Sequence, residues 1–138
     1  MKYWLGVVSE EHVKKGVAEG FAQVCHGKRT PLTRIKKDDW LIYYSPKKSM
    51  KGTELCKSFT AIGEAKDDVV FQFEMTKDFK PFRRAIKYHK CTPLPIDSVK
   101  SELNLTKAQN WGYQLRFGLI ELTEIDFKIL KKALLEKK

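Results

Sequence analysis

The chain has 138 residues, a formal net charge of +10, 42% hydrophobic residues and 32% charged residues. These values are typical of a single globular domain. No apolar run approaches the roughly 18 residues that a membrane-spanning helix needs, and the N-terminal residues become acidic too soon for a signal peptide. We therefore expect one domain over residues 1–138 that has no membrane partner.

The positive charge is concentrated in two blocks. Residues 28–57 hold nine lysines or arginines against three acids, and residues 77–90 hold six against one. A basic excess confined to parts of a chain indicates an anionic partner, above all nucleic acid. The alternative is a lysine-rich surface that serves only solubility.

The cysteines predict no metal centre. The three cysteines are Cys25, Cys56 and Cys91. They are widely spaced, they form no C-x-x-C pair, and no histidine stands at a metal-ligand spacing from them. Neither a structural zinc site nor another cofactor is therefore expected. Reduced thiols are typical of cytoplasmic proteins, so we predict that location.

The first elements follow from apolar runs and helix-capping signals. Residues 3–8 predict a buried strand. Ser9, followed by two glutamates, predicts the N-cap of a short helix that ends between Gly16 and Gly20. Residues 21–25 predict a second short strand, and a basic loop is expected after it.

The middle of the chain predicts consecutive strands. The aromatic and β-branched residues 40–45 favour a strand, and the polar residues 46–57 favour a long loop. Residues 58–66 and 69–75 predict two strands joined in a hairpin by two aspartates.

The last third adds one strand and two helices. Residues 82–90 predict a strand with positive charge on both faces near its start. Residues 97–103 predict a short helix, and Thr123 with Asp126 predicts the N-terminus of a final helix that reaches about residue 136. Because most strands follow one another directly, we predict an α+β fold with a mixed or antiparallel sheet that curls into a small barrel.

Catalytic signals are weak. The phosphate-binding glycine motifs, the nucleophile elbow and the HExxH zinc motif are all missing from the sequence. Asp38 and Asp39 are neighbours, and so are Cys25 and His26. Neighbours on an extended chain face opposite ways, so neither pair predicts a catalytic couple.

A binding site is better supported, because cations, aromatic rings and amides are interleaved. Cations can bind phosphates, rings can stack on a base, and amides can bind a base edge. The candidates are Lys28, Arg29, Arg83, Arg84 and Arg116; Phe79, Phe82, Trp111 and Tyr113; and Gln23, Asn110 and Gln114. The alternative is that the aromatics form the core, which we expect for Trp4 and Trp40 and leave open for Trp111.

Five segments, in this order and spacing, resemble the EVE domain family in the branch called UPF0310. They are YWLGVVS at 3–9, FAQVCHGKRTPL at 21–32, DDWLIYYSP at 38–46, FKPFRRAIKY at 79–88 and WGYQLRFGL at 111–119. The resemblance implies a PUA-like fold related to YTH and ASCH domains, with a short N-terminal helix and a C-terminal helix. It also implies a non-catalytic reader of a modified base, with modified cytosine in DNA as the leading ligand and a modified RNA base as the other.

The resemblance also implies which residues form the site. Ser9 would face the base, and further residues would form the pocket wall, rim and mouth: Gln23, Cys25, His26, Lys28, Arg29, Phe79, Phe82, Arg83, Trp111, Tyr113, Gln114 and Arg116. One departure concerns the tryptophan that YTH domains take from the segment after the first helix. FAQ stands there at 21–23, so a complete methyladenine cage is not expected.

These residues predict a mechanism in which a monomeric protein draws one nucleotide of DNA or RNA into the pocket, while the HGKR segment holds the neighbouring phosphate. Two alternatives stay open. The pocket could bind a free nucleobase or nucleoside as a sensor. The protein could instead be an enzyme acting on a nucleobase or small amide, with Cys25 or His26 taking part.

Overall fold

The computed structural model describes residues 1–107 and 109–135. Its helices and strands follow one another in this order: β1 (Tyr3–Val7), α1 (Glu10–Glu19), β2 (Phe21–Ala22), α2 (Arg29–Thr33), β3 (Trp40–Lys47), β4 (Leu55–Gln72), β5 (Phe82–His89), β6 (Leu94–Pro95), α3 (Trp111–Gln114), β7 (Leu119–Leu122) and α4 (Glu124–Leu135). Short 3-10 turns lie at Cys25–Gly27, Ile96–Ser98 and Leu115–Phe117.

The strands of the described residues form one seven-stranded sheet in the order β2-β5-β4-β3-β1-β7, and β6 pairs with β4 beside this path. β1 runs parallel to β3, and every other pairing is antiparallel. The predicted α+β class with a mixed, curled sheet is therefore confirmed. The sheet stays open, with β2 and β7 at its two edges.

The central strand β4 corrects one prediction. The sequence predicts two strands joined at Asp67 and Asp68, whereas β4 is a single strand of 18 residues. Its pairing with β5 shifts register between Ala65 and Val70, so the acidic residues form a bulge. Arg84 stabilises this bulge, because its Nη2 donates to Asp67 O at 2.6 Å and to Asp68 Oδ1 at 3.4 Å.

Other element boundaries also differ from the predictions. β2 has two residues rather than five, and the predicted basic loop after it contains helix α2. The loop predicted over 46–57 is shortened by β3 and β4 from both sides. The predicted helix over 97–103 is replaced by the 3-10 turn Ile96–Ser98. Strand β7 was not expected from the sequence.

The predicted helix caps are confirmed. Ser9 Oγ accepts from His12 N at 3.4 Å, and Gly20 ends α1 with a φ of 76°. Thr123 Oγ1 accepts from Asp126 N at 3.2 Å at the start of α4. Residue 136, where α4 was expected to end, lies outside the described residues.

The hydrophobic core consists of two clusters, because successive residues of β3 point to opposite faces of the sheet. Leu41 and Tyr43 join a cluster with α1 and α2, and Ile42 and Tyr44 join a cluster with α4. Trp4 is buried as predicted. Trp40 is only partly buried, under the α4 side of the sheet.

Helices long and apolar enough to cross a membrane do not occur in the described part of the chain.

Candidate nucleic-acid interface

A cavity of about 1020 Å³ opens where the end of β1, the start of α1 and the segment after β2 meet. Three further stretches complete its wall: the end of β3, the residues around Met75 and Phe79, and the turn before β7. The cavity therefore gathers side chains from both basic blocks of the sequence.

The first wall is built by β1 and the N-terminus of α1. The N–H of Val7 donates to Gly118 O at 2.9 Å and that of Val8 donates to Tyr44 O at 3.2 Å, so the chain is fixed where it leaves the sheet. Ser9 follows as the N-cap. Since its Oγ accepts from the backbone of His12, its hydroxyl hydrogen stays free to donate.

Gln23 is buried and is bonded through three of its groups. Its backbone N–H donates to Tyr43 OH at 3.3 Å, and its backbone oxygen lies 3.1 Å from His12 Nε2. Its side-chain Oε1 accepts from Arg83 Nε at 3.0 Å. These bonds hold Gln23 in one orientation at the cavity wall.

The chain then turns sharply. Cys25, His26 and Gly27 all have left-handed backbone conformations, with φ values of 52°, 59° and 83°. Such a run is costly for residues other than glycine. A side chain at Gly27 would meet Pro81 Cβ at 2.5 Å, so this position requires glycine. The turn places His26 and Lys28 at the cavity.

Cys25 joins this turn to the opposite wall. Its Sγ donates to Phe117 O at 3.2 Å, and Gly118 packs so closely that a Cβ there would lie 2.6 Å from the sulfur. Burial raises the pKa of the Cys25 thiol, although Lys28 and Arg34 oppose the shift. The thiol is therefore protonated and hydrogen-bonded, which is the state of a structural cysteine rather than of a nucleophile.

The rim combines positive charge with exposed apolar groups. The cations at the cavity are Lys28, Lys47 and Arg116, and none of its described lining residues is acidic. Met50, Phe79 and Phe117 stand beside them with exposed fractions of 68%, 41% and 61%. Exposed rings next to cations are the groups that bind a base and its phosphate.

Arg83 does not lie at the cavity mouth, where it was expected. It is 3% exposed, and its guanidinium carbon lies 3.7 Å from the ring centroid of Phe21 and 4.1 Å from that of Phe73. Two phenyl rings thus shield the cation from solvent. Arg83 is unable to contact a phosphate from this position and acts on the cavity through Gln23.

His12 is uncharged at neutral pH. Burial lowers its pKa, and the positive charges of Arg83 and Lys15 lower it further, while the contact with Gln23 O opposes the shift. The oxygen of Gln23 can only accept, so the neutral ring carries its hydrogen on Nε2. The second ring nitrogen, Nδ1, is then an acceptor.

Seven of the predicted site residues meet in this cavity: Ser9, Gln23, Cys25, His26, Lys28, Phe79 and Arg116. Six others lie outside it: Arg29, Phe82, Arg83, Trp111, Tyr113 and Gln114. Trp111 packs against the core cluster beside α4, which answers the question that the sequence left open. Tyr113 and Gln114 are exposed on α3, and Arg29 is exposed at the start of α2.

Sequence reasoning missed several lining residues, among them His12, Met50 and Phe117. A signal existed for His12, since it stands three residues after the predicted N-cap and so shares the first turn of α1 with Ser9. Met50 lies in a polar loop whose position no local pattern reveals.

A family model for the EVE domain matches residues 2–133. The chain belongs to the EVE domain family. The UPF0310 protein of Streptococcus mutans is 45% identical to this EVE domain over 97% of each chain. Bacillus subtilis YdcG, also a UPF0310 protein, is 42% identical over 96% of this chain and 91% of its own. The predicted family is therefore confirmed.

Solved structures share the fold of this EVE domain. Rpa0253 from Rhodopseudomonas palustris has a TM-score of 0.60 at 24% identity, with 99% of this chain and 97% of that chain covered. A point mutant of ZmASCH from Zymomonas mobilis also has 0.60, at 13% identity and 97% and 99% coverage. Human THYN1, solved with DNA containing 5-methylcytosine, has 0.52 at 12% identity and full coverage of both chains.

Proposed function

We propose that this EVE domain is a non-catalytic nucleic-acid-binding protein that takes one modified base into its cavity. The observation that carries the proposal is the composition of the cavity. Polar groups lie at its wall, apolar side chains line it, cations stand at its rim, and acids are missing from its described lining. A ligand that matches the polar wall, the apolar lining and the cationic rim has an anionic end and a flat, partly polar ring.

The rim would bind the phosphates that flank the base. Lys28 and Arg116 stand on different segments that both line the cavity, so each can bind a phosphate of a strand whose base enters it. Each phosphate that a cation neutralises releases a counterion, and binding therefore weakens as salt rises. Such contacts position the strand without selecting a sequence.

The interior would receive the extruded base. Extrusion costs a few kcal/mol, and least for a base that is already unpaired. Stacking on an aromatic ring contributes about 1–3 kcal/mol per base, and Phe79 and Phe117 are exposed at the opening for this purpose. A cavity of about 1020 Å³ also has room for a modified base with its sugar.

The absence of catalysis is part of the proposal. The Cys25 thiol donates to a backbone oxygen and has a raised pKa, and the neutral ring of His12 contacts Gln23 O. Cys25 and His12 each bond to a backbone oxygen and not to each other, so these two side chains do not form a nucleophile–base pair. Carboxylates, which could act as general acid or base, do not occur among the described lining residues.

The ligand that we favour is a modified cytosine in DNA. Human THYN1, which shares the fold, was solved with DNA containing 5-methylcytosine, so modified cytosine in DNA is our first choice of ligand and a modified RNA base the second.

We expect the domain to bind as a monomer, because one cavity within one chain is enough. The three cysteines are free thiols, which supports a cytoplasmic location.

Fluorescence anisotropy with matched oligonucleotides tests the proposal. The panel carries cytosine, 5-methylcytosine, 5-hydroxymethylcytosine, adenine and N6-methyladenine at one position, each in DNA and RNA, at low and moderate salt. We expect a preference for one modified base that survives the higher salt. Equal binding that disappears with salt would overturn base reading. Competition by free nucleosides alone would indicate the sensor function instead.

A further inference from the structure

Ser9, His12 and Gln23 are three of the polar residues that line the cavity. Each of them is already bonded to the protein through one group. Those bonds determine which group is left to face a ligand.

Gln23 is left with a donor. Arg83 carries donors and no acceptor, so the side-chain oxygen of Gln23 must face its Nε, and the amide nitrogen must face away. Arg83 is itself held between two phenyl rings and is unable to turn aside. Within residues 1–107 and 109–135, Gln23 Nε2 has no protein partner and is not among the nitrogens sealed from solvent.

His12 is left with an acceptor. Its Nε2 lies 3.1 Å from a backbone oxygen that can only accept, so this nitrogen holds the hydrogen. The lowered pKa keeps the ring neutral at neutral pH. Nδ1 then offers a lone pair near the segment that carries the Gln23 donor, because the His12 ring contacts the backbone oxygen of Gln23 and both residues line the cavity.

We propose that Gln23 and His12 determine specificity in this cavity, with Gln23 Nε2 donating to a ring nitrogen and His12 Nδ1 accepting from the amino group beside it. The inference rests on the proposed function and specifies its substrate class. Cytosine presents N3 next to its amino group, and adenine presents N1 next to its own. In the same pose, thymine and uracil place an N–H where cytosine has N3 and a carbonyl where cytosine has its amino group, and guanine differs from adenine in the same way. The cavity therefore selects amino bases over keto bases.

Arg83 is a positioning residue in this arrangement. It touches no ligand, but it fixes which end of the Gln23 amide faces the cavity. A lysine at position 83 would keep the charge and lose the planar group that two rings hold in place. Selection by Gln23 would then weaken, while phosphate binding at the rim would not change.

The test uses single-stranded DNA with one variable position, in the modification state that the anisotropy panel favours. Four bases are compared: the cytosine, its 3-deaza analogue, which replaces N3 by C–H, the pyrimidin-2-one, which lacks the amino group, and thymine. In the wild-type protein, each loss of a partner should weaken binding roughly 5- to 150-fold. Wild-type affinity that does not respond to either analogue overturns the inference without any variant.

Variants then assign each contact. Gln23→Glu keeps an oxygen facing Arg83 and removes the amide donor, so it should abolish the response to 3-deazacytosine and keep the response to pyrimidin-2-one. His12→Phe keeps a ring and removes the acceptor, so it should give the opposite result. Gln72→Glu and His89→Phe make the same changes outside the cavity and should keep both responses.

The outcomes separate this inference from the proposed function. If the wild-type protein prefers a modified base and both cavity variants keep both analogue responses, the inference fails and base reading stands. If the wild-type protein binds every oligonucleotide equally and only at low salt, base reading itself fails. Arg83→Lys adds a third readout, since the 3-deaza response should decrease while the salt dependence of binding stays the same.

Discussion

Arg83 Nε donates to Gln23 Oε1 at 3.0 Å, and this bond joins residues that are 60 positions apart in the chain. It links β5 to the segment after β2 and lies between the sheet and the cavity. Arg83 therefore contributes both to the free energy of unfolding and to the orientation of the Gln23 side chain at the cavity. The two contributions can be measured separately.

Arg83→Ala should lower the free energy of unfolding. The substitution leaves Gln23 Oε1 buried without its donor, which costs about 1–3 kcal/mol, and it empties the space between the rings of Phe21 and Phe73. Urea denaturation measures the change. Arg29→Ala removes an exposed arginine of the other basic block and should stay within about 0.5 kcal/mol of the wild type. Equal stability of the two variants would contradict the role given to Arg83.

The rim cations should determine the salt dependence of binding. Lys28→Ala and Arg116→Ala should each weaken oligonucleotide binding for every base and reduce the slope of log K against log salt by about 1. Lys132→Ala, an exposed lysine of α4 outside the cavity, should leave the slope unchanged. A slope that responds equally to all three would mean that phosphate binding is spread over the surface.

His12 should make stability depend on pH in the mildly acidic range. Its folded pKa lies below the ordinary value of 6.5, because of burial and the charges of Arg83 and Lys15. Below pH 6.5 the unfolded chain therefore binds a proton that the folded chain does not, and stability falls as the pH falls. The full contribution is present above pH 6.5. Denaturation curves from pH 5 to pH 8 measure the slope, and His12→Phe should flatten it.

The sequence predicted the elements that local patterns control. The aromatic and β-branched residues 40–45 predicted β3, residues 82–90 predicted β5, and the capping signals at Ser9 and Thr123 predicted the starts of α1 and α4. It could not predict β4 as one strand, because the partner that holds the Asp67–Asp68 bulge is Arg84, on another strand. The same limit explains the arginines. Arg83 and Arg84 look like surface charge, and only tertiary contacts show that both are buried.

The site was predictable to a similar extent. The segment that contains Gln23, Cys25 and His26 was recognised through the family resemblance, and it does line the cavity. Trp111 and Tyr113 were expected there as well, but the short helix α3 directs one to the core and the other to solvent. The orientation of a four-residue helix depends on what it packs against, and a linear sequence does not contain that information.

Asp39 should make the fold sensitive to acid. Burial opposes its ionisation, but hydrogen bonds from Lys2 N, Lys36 N and Trp4 Nε1 outweigh that effect and hold its pKa below the ordinary 3.8. Its stabilising contribution is thus present above pH 3.8 and is lost as the pH falls through the folded pKa. Asp39→Asn should cost about 1–3 kcal/mol at neutral pH, and it should reduce the acid dependence in denaturation measured from pH 2 to pH 6.

Phe79 and Phe71 offer a matched pair for testing the stacking surface. Both rings are similarly exposed, at 41% and 38%, but only Phe79 lines the cavity. Phe79→Ala should weaken binding of the preferred oligonucleotide by about 1–3 kcal/mol, because one stacking face for the base is lost. Phe71→Ala should not change affinity. Anisotropy titration measures both, and thermal melting confirms that each variant is folded. Equal losses of affinity in the two variants would indicate that the base binds on the outer face of β4, where Phe71 is exposed, and not in the cavity.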